Sequence, residues 1–117
     1  MSYMLLVVEP PGQRSTRTEE EGRAVYARMV RFSDELKQRG LLTMSQSLKS
    51  PDVGARVKVS GDSAMITDGP FAETKEVIGG FFLLTCETRE QAIEIARECP
   101  AARFATIEVR ELGPCFE

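Results

Sequence analysis

The chain has 117 residues, 42% of them hydrophobic and 28% charged, and this balance predicts one globular domain over residues 1–117. Fifteen basic and eighteen acidic residues give a net charge of -3, and without a basic tract the chain lacks the usual footprint of nucleic-acid binding. The sequence contains no histidine, which excludes histidine-dependent triads and dyads, zinc sites built on histidine, and a histidine general base.

The first predicted elements are a strand and a helix. An unbroken apolar run bounded by prolines predicts a strand over residues 3–9. A polar loop follows, and an apolar stripe at helical spacing then predicts an amphipathic helix. A capping box of Thr18 and Glu21 begins this helix and Gly40 ends it. The stripe consists of Val25, Met29, Phe32 and Leu36.

The rest of the chain alternates between strands and one further helix. Gly61-Asp62 is a two-residue hairpin signal with glycine first. Thr88 begins the second helix, with Gln91 in the reciprocal capping position, and Pro100 ends it. Apolar runs and period-two alternation predict strands over residues 41–48, 56–60, 63–67, 78–85 and 103–112.

The order strand–helix–strand, hairpin, strand–helix–strand is typical of an α+β ferredoxin-like antiparallel sheet with two helices on one face and an added β-hairpin. The runs over residues 4–8 and 81–84 are apolar on both faces, which is normal only where both sides of a strand are buried. Because the helices cover one face, a second copy of the sheet is the simplest cover for the other. We therefore expect a homodimer with apposed sheet faces, a dimeric α+β barrel.

Cysteines and hydropathy bear on location. Three widely spaced cysteines without a C-x-x-C pair are expected to be reduced and buried: Cys86, Cys99 and Cys115. Reduced thiols fit a cytoplasmic location. The apolar run from Met4 to Val8 is too short for a signal peptide or a membrane span, so no membrane partner is expected. No cofactor or metal is expected either, since the chain has no dinucleotide fingerprint, phosphate loop or cluster of metal ligands.

The segment over residues 68–76, Asp-Gly-Pro-Phe-Ala-Glu-Thr-Lys-Glu, carries most of the functional information. Asp68 is of the type that accepts a backbone N–H two residues on in an Asx turn, and Pro70 fixes its own φ. Phe71 is expected to anchor the loop by burying its ring. One interpretation of the segment is therefore a rigid connection between the hairpin and the next strand.

Turn chemistry does not account for the charged residues that follow. A solvated loop explains them; alternatively Asp68, Glu73 and Lys75 converge on a cleft at the sheet edge. There a carboxylate beside an ammonium binds a polar ligand, or a desolvated carboxylate acts as a general base. Gly79-Gly80 indicates either a close backbone approach or a β-bulge. Elsewhere, the first loop holds two arginines expected to be solvated, Arg14 and Arg17.

Asp68 to Glu76, followed by Gly79-Gly80-Phe81, resembles the hallmark of the DGPF-motif proteins of the YCII-related family. The likeness extends over essentially the whole chain and implies a small bacterial domain with a ferredoxin-like fold that pairs into dimers. It implies no particular reaction. Shorter YCII-type relatives have a proposed histidine–aspartate pair, but this chain has Met29 and Cys99 near those positions, so that chemistry is not carried over.

Three functions remain open. The first is a module that binds a small polar ligand or a regulatory partner in a cleft near Asp68. The second is a lyase-like or dehalogenase-like enzyme in which Asp68 is the general base and Lys75 or Arg103 stabilises negative charge. The third is a structural dimer without a ligand. Binding ranks first, because histidine is missing and an unperturbed aspartate is a poor base near neutral pH. The candidate ligand-binding residues are Asp68, Phe71, Glu73, Lys75, Tyr26 and Arg103.

Overall fold

The computed structural model describes residues 2–117. Short 3₁₀ turns lie at Gln13–Thr16, Pro51–Val53 and Pro100–Arg103. Every predicted helix and strand is present, with ends that differ from the prediction by at most three residues. The elements are β1 (Ser2–Glu9), α1 (Glu19–Gln38), β2 (Leu42–Ser47), β3 (Ala55–Ser60), β4 (Ser63–Asp68), β5 (Val77–Thr85), α2 (Arg89–Glu98) and β6 (Thr106–Glu111).

Four strands form one antiparallel sheet in the order β2-β5-β1-β6, while β3 and β4 form a separate two-stranded sheet. This strand order, with a helix after β1 and another after β5, is that of a ferredoxin-like α+β fold, as the element order predicts. Among the helices within residues 2–117, neither is long and apolar enough to span a bilayer.

The core lies between the sheet and the two helices. Alternate side chains of β1, Tyr3, Leu5 and Val7, are buried on the helix side. They pack with Phe32 of α1, whose ring meets that of Phe82 edge to face at 5.3 Å between centroids. The remaining core residues include Leu36, Leu84, Ala92, Ile95 and Cys99.

The opposite sheet face is not covered by any element within residues 2–117. It is apolar along β1 and β5, since those strands alternate two sets of apolar side chains. We call it the open sheet face. Its members range from half-buried to 49% exposed: Met4, Leu6, Val8, Met44, Ile78, Phe81 and Leu83.

Local hydrogen bonds explain where the helices begin and end. Both bonds of the Thr18–Glu21 capping box are present at the start of α1. At its end Gly40 has φ 72°, and Leu41 N–H donates to the Leu36 carbonyl in a Schellman motif. Thr88 caps α2 as predicted, but the Gln91 side chain accepts from the N–H of Glu87 rather than from that of Thr88.

The hairpin turn is also confirmed, because Ser60 pairs with Ser63 across Gly61-Asp62, with Gly61 at φ 60°. Two local predictions are wrong. Arg103 lies in a 3₁₀ turn rather than in the last strand, since Ala105 N–H donates to the Ala101 carbonyl and delays the start of β6. Cys115 is exposed, because the chain after β6 leaves the core, whereas the other two thiols are buried.

Candidate functional site

A cleft of about 790 Å³ opens between the N-terminal half of α1 and the sheet, and we call it the α1 cleft. It forms because the apolar stripe of α1 is fully buried only at Phe32 and Leu36, while its first residues stand away from the strands. Its walls are largely apolar and include Val7, Val25, Met29, Phe82 and Phe104.

An ion pair between a buried carboxylate and a partly exposed guanidinium lines this cleft. Glu9, the last residue of β1, is 7% exposed and points to the helix side like the alternate core residues before it. Arg14 Nε lies 2.9 Å from Glu9 Oε1. The same guanidinium donates to the carbonyls of Leu48, at 2.6 Å, and Gly79, at 3.0 Å. Arg14 therefore ties the loop after β1 to the ends of β2 and β5.

Gly79 and Gly80 make room for this arrangement. The register of β1 against β5 shifts between Val7 and Val8, which leaves Gly79 as the extra residue of a β-bulge. A Cβ at Gly79 would lie 2.7 Å from Glu9 Oε1, and one at Gly80 would lie 2.8 Å from the Gln46 carbonyl oxygen. Gly79-Gly80 therefore marks both a β-bulge and a close approach. The groups that approach it are Glu9 and the Gln46 carbonyl of the same chain.

Arg17 lies at the mouth of the α1 cleft. Its guanidinium stacks over the ring of Phe104, 4.6 Å from the centroid, and the side chain is half-buried. It also donates to Gln13 Oε1 at 3.4 Å, while Gln13 donates to the Phe104 carbonyl at 2.6 Å. Within residues 2–117, no carboxylate lies within ion-pair distance of Arg17. The cleft thus has a cation that its own chain does not neutralise by direct contact.

Small polar groups also line the α1 cleft. The hydroxyls of Ser33 on α1 and Ser45 on β2 lie 3.1 Å apart. Gln46, Ser47 and Tyr26 also line the cleft, and Tyr26 is 62% exposed. Of the six predicted ligand-binding residues, Tyr26 is the one that lines this cleft.

Two other predicted ligand-binding residues line a second cleft. Lys75 and Arg103 line a shallower cleft of about 530 Å³ beside the start of β6, together with Glu76 and Phe104. The tertiary fold brings these two cations to the walls of one cleft, although they are far apart in sequence. Among residues 2–117, no group of three Cys, Asp or Glu side chains is arranged to hold a metal.

The segment over residues 69–76 is held by specific contacts. Gly69 N–H donates to the Gly54 carbonyl at 2.9 Å, and the Gly69–Pro70 peptide bond is cis. The half-buried ring of Phe71 lies under the Arg56 guanidinium, with 4.0 Å between the ring centroid and Arg56 Cζ. Arg56 also donates a hydrogen bond to Thr74 Oγ1 at 3.0 Å. The segment is therefore a connection held by these contacts, and its aromatic ring is stacked on Arg56 and half-buried rather than buried as expected.

Asp68 is exposed at the end of β4 and lines neither cleft. Phe71, which is half-buried, and Glu73, which is exposed, also line neither cleft. Within residues 2–117 the Asp68 carboxylate makes no side-chain hydrogen bond or ion pair. The expected Asx turn is absent for a simple reason: the residue two positions on is Pro70, which has no N–H to donate. A role of Asp68, Phe71 and Glu73 in binding stays a prediction.

Four groups have a shifted pKa, and none of them lines a cleft. Burial raises the pKa of the Tyr3 hydroxyl and of the Cys86 and Cys99 thiols. In the capping box, the Glu21 carboxylate accepts a hydrogen bond from the backbone N–H of Thr18, and this bond lowers the pKa of the Glu21 carboxyl. The shifts follow from core packing and helix capping.

Sequence reasoning missed the Glu9–Arg14 pair and expected Arg14 to be solvated. A signal was present: Tyr3, Leu5, Val7 and Glu9 fall on one face of a strand whose apolar members are buried. An acidic residue at the end of such a series requires a cation, and Arg14 is the first one downstream.

Comparisons with known proteins agree with this architecture. The sequence model of the YCII-related domain family matches residues 1–115. An uncharacterized protein of Rhizobium meliloti (strain 1021) is 30% identical over 115 residues, which span 97% of this chain and 93% of the relative. The similarity therefore includes both clefts, the hairpin and the segment over residues 68–76.

Proposed function

Because this chain belongs to the YCII-related domain family, whose match covers both clefts, we propose that it is a dimeric domain that binds a small organic anion in the α1 cleft. The observation that carries the proposal is Arg17, a half-buried guanidinium at the mouth of a largely apolar cleft with no carboxylate within ion-pair distance among residues 2–117. A guanidinium in such a place favours a ligand carboxylate or a similar anionic group.

The shape and walls of the cleft suggest the rest of the ligand. A volume of about 790 Å³ falls within the roughly 300–1,000 Å³ typical of sites for small organic molecules. The side chains of Val25, Met29 and Phe104 offer apolar contact to a ring or a short chain. The paired hydroxyls of Ser33 and Ser45, which also line the cleft, offer hydrogen bonds to a ligand. The ligand class is an amphipathic molecule with an apolar body and one anionic group.

Binding is favoured over acid–base catalysis by the location of the perturbed groups. Catalytic acids and bases need a pKa tuned to their task, so they are sought where shifts and clefts coincide. Here the shifted groups are Tyr3, Glu21, Cys86 and Cys99, all outside both clefts. Glu9, the buried carboxylate of the α1 cleft, is already paired with Arg14.

Titration of the ¹⁵N-labelled protein with 2-naphthoate tests this proposal. Amide chemical shifts are expected to change most at the lining residues of α1 and β2, which include Val25, Tyr26, Met29, Val30 and residues 45–47. Arg17→Gln is expected to weaken 2-naphthoate binding about fivefold, since one partly exposed ion pair contributes about 1 kcal/mol. The neutral analogue 2-naphthamide should bind both proteins alike.

Arg28→Gln is the matched control, because Arg28 is an exposed arginine of α1 that does not line the cleft. Its affinity for 2-naphthoate should equal that of the wild type. Equal losses in Arg17→Gln and Arg28→Gln, or shifts confined to the open sheet face, would show that the assignment of the α1 cleft is wrong.

The proposal includes a homodimer with the two sheets facing each other, as in a dimeric α+β barrel. The isolated chain exposes 8499 Å², against about 6,300 Å² for a compact monomer of this size. Its radius of gyration is 16.1 Å, against about 13 Å for a compact domain, and its thinnest dimension is 19 Å. A flat chain with an apolar open sheet face is well suited to pair with a second copy.

Sedimentation velocity over a micromolar concentration series tests the dimer. We expect a species of twice the chain mass at every concentration in that range, because a standard interface needs only about 800 Å² from each partner. A species of single-chain mass throughout would overturn the dimer and leave the ligand proposal to its own test.

A further inference from the structure

The β3–β4 hairpin is amphipathic although every one of its strand residues is exposed. Residues opposite each other in the register share a face, as Val57 does with Ile66 and Val59 with Ala64. This face therefore carries three large apolar side chains, each exposed by 63–67%: Val57, Val59 and Ile66. The other face carries Arg56, Lys58, Ser60, Ser63, Met65 and Thr67. Clean alternation of this kind is typical of a sheet with one buried face.

The chain itself holds only the polar side of this hairpin. Arg56, on the polar face, stacks on Phe71 and donates to Thr74, so the following segment packs against that side. Within residues 2–117, no element of the main sheet or helices packs closely on the hairpin. A two-stranded hairpin is marginally stable by itself and needs a cover on its apolar face.

Asp68 lies on the apolar face as well, opposite Ala55 at the root of the hairpin. Whatever covers Val57 and Ile66 therefore also approaches the Asp68 carboxylate. This placement explains why the first residue of the segment over residues 68–76 lines neither cleft of the isolated chain.

The occupant that fits is a second copy of this chain. The molecule has two uncovered apolar surfaces, the hairpin face and the open sheet face, and a two-fold pair covers both with one contact made twice. The exposed area exceeds that of a compact monomer by about 2,000 Å², which is more than the about 800 Å² that a standard interface takes from each partner. There is therefore room for the hairpin as well as the sheet.

We infer that, beside the sheet-to-sheet contact, each protomer lays the apolar face of its β3–β4 hairpin along the open sheet face of its partner, and so places Asp68 in the interface between them. The inference rests on the homodimer proposed above. The hairpin is then an arm that locks the pair, and the segment over residues 68–76 belongs to a site built by both protomers.

Ile66→Asp and Met65→Asp form a matched pair that tests the arm. The two side chains are neighbours in sequence and equally exposed, at 67% and 68%, but lie on opposite faces of the hairpin. Ile66→Asp is expected to raise the dimer dissociation constant on the order of 100-fold, because it buries an unpaired charge. Met65→Asp should change it by less than about threefold. Sedimentation measures both, and circular dichroism confirms that both variants fold.

A photo-crosslinking experiment tests the same contact without introducing a destabilising charge. p-Benzoylphenylalanine placed at position 57 should yield a covalent product of twice the chain mass, with crosslinked peptides from β1 or β5 of the other protomer. The same probe at position 58, on the polar face, should yield none. If the wild type is a dimer but Ile66→Asp dimerises normally and position 57 gives no such product, the arm is wrong and the dimer stands. A monomeric wild type would overturn both the hairpin arm and the proposed dimer.

Discussion

Arg14→Ala is expected to lower the free energy of unfolding by about 3 kcal/mol. The substitution leaves the Glu9 carboxylate, 7% exposed, without its cation at 2.9 Å. It also removes the donors to the Leu48 and Gly79 carbonyls. A buried charge without a partner costs several kcal/mol, which outweighs the modest net contribution of any one hydrogen bond. Urea unfolding at one fixed protein concentration measures the loss.

Glu9→Gln is the control that separates the cost of burying an unpaired Glu9 carboxylate from the loss of the ion pair itself. Arg14 keeps its two carbonyl contacts in this variant, and its side chain is 38% exposed, so water can solvate the free charge. The expected loss is about 1 kcal/mol. The double variant Glu9→Gln/Arg14→Ala should be more stable than Arg14→Ala alone, since the unpaired carboxylate is gone. Equal losses for the two single variants would show that burial of Glu9 does not decide the effect.

Gly69→Ala is expected to cost roughly 3 kcal/mol, at the upper end for overpacking. A Cβ at this position would overlap the backbone carbonyl oxygen of Pro51, which cannot move away as a flexible side chain can. The hydrogen bond from Gly69 N–H to the Gly54 carbonyl would be lost as the backbone shifts. Thermal unfolding at fixed concentration reports the change. In this motif the glycine is required for close packing rather than for a left-handed φ.

Gly22→Ala is the matched control, with the opposite sign. Gly22 lies inside α1, and a Cβ there would meet nothing within 4 Å. Alanine should therefore stabilise the protein by about 0.5–1 kcal/mol through helix propensity. A destabilised Gly22→Ala, or an unchanged Gly69→Ala, would contradict the contact distances on which both expectations rest.

The two glycine-rich motifs illustrate how far sequence reasoning reaches. Gly79-Gly80 was expected to mark a bulge or a close approach, and both occur, but the neighbouring groups, Glu9 and the Gln46 carbonyl, lie far away in sequence. The Asx turn at Asp68 fails on local chemistry that the sequence already contained, since Pro70 has no N–H. Arg103 was placed in a strand because alternation continues through the 3₁₀ turn that precedes β6.

The sequence by itself determined the secondary structure, the ferredoxin-like strand order and the connecting segment over residues 68–76. Caps, the Gly61-Asp62 turn and apolar periodicity depend on residues within a few positions of one another. Their effects can therefore be predicted from the sequence alone. The tertiary structure alone decided that Glu9 pairs with Arg14, that Arg17 lines a largely apolar cleft, and that Lys75 and Arg103 line one cleft. Such contacts depend on distances between elements that pack together, and burial rather than spacing sets which charges must pair.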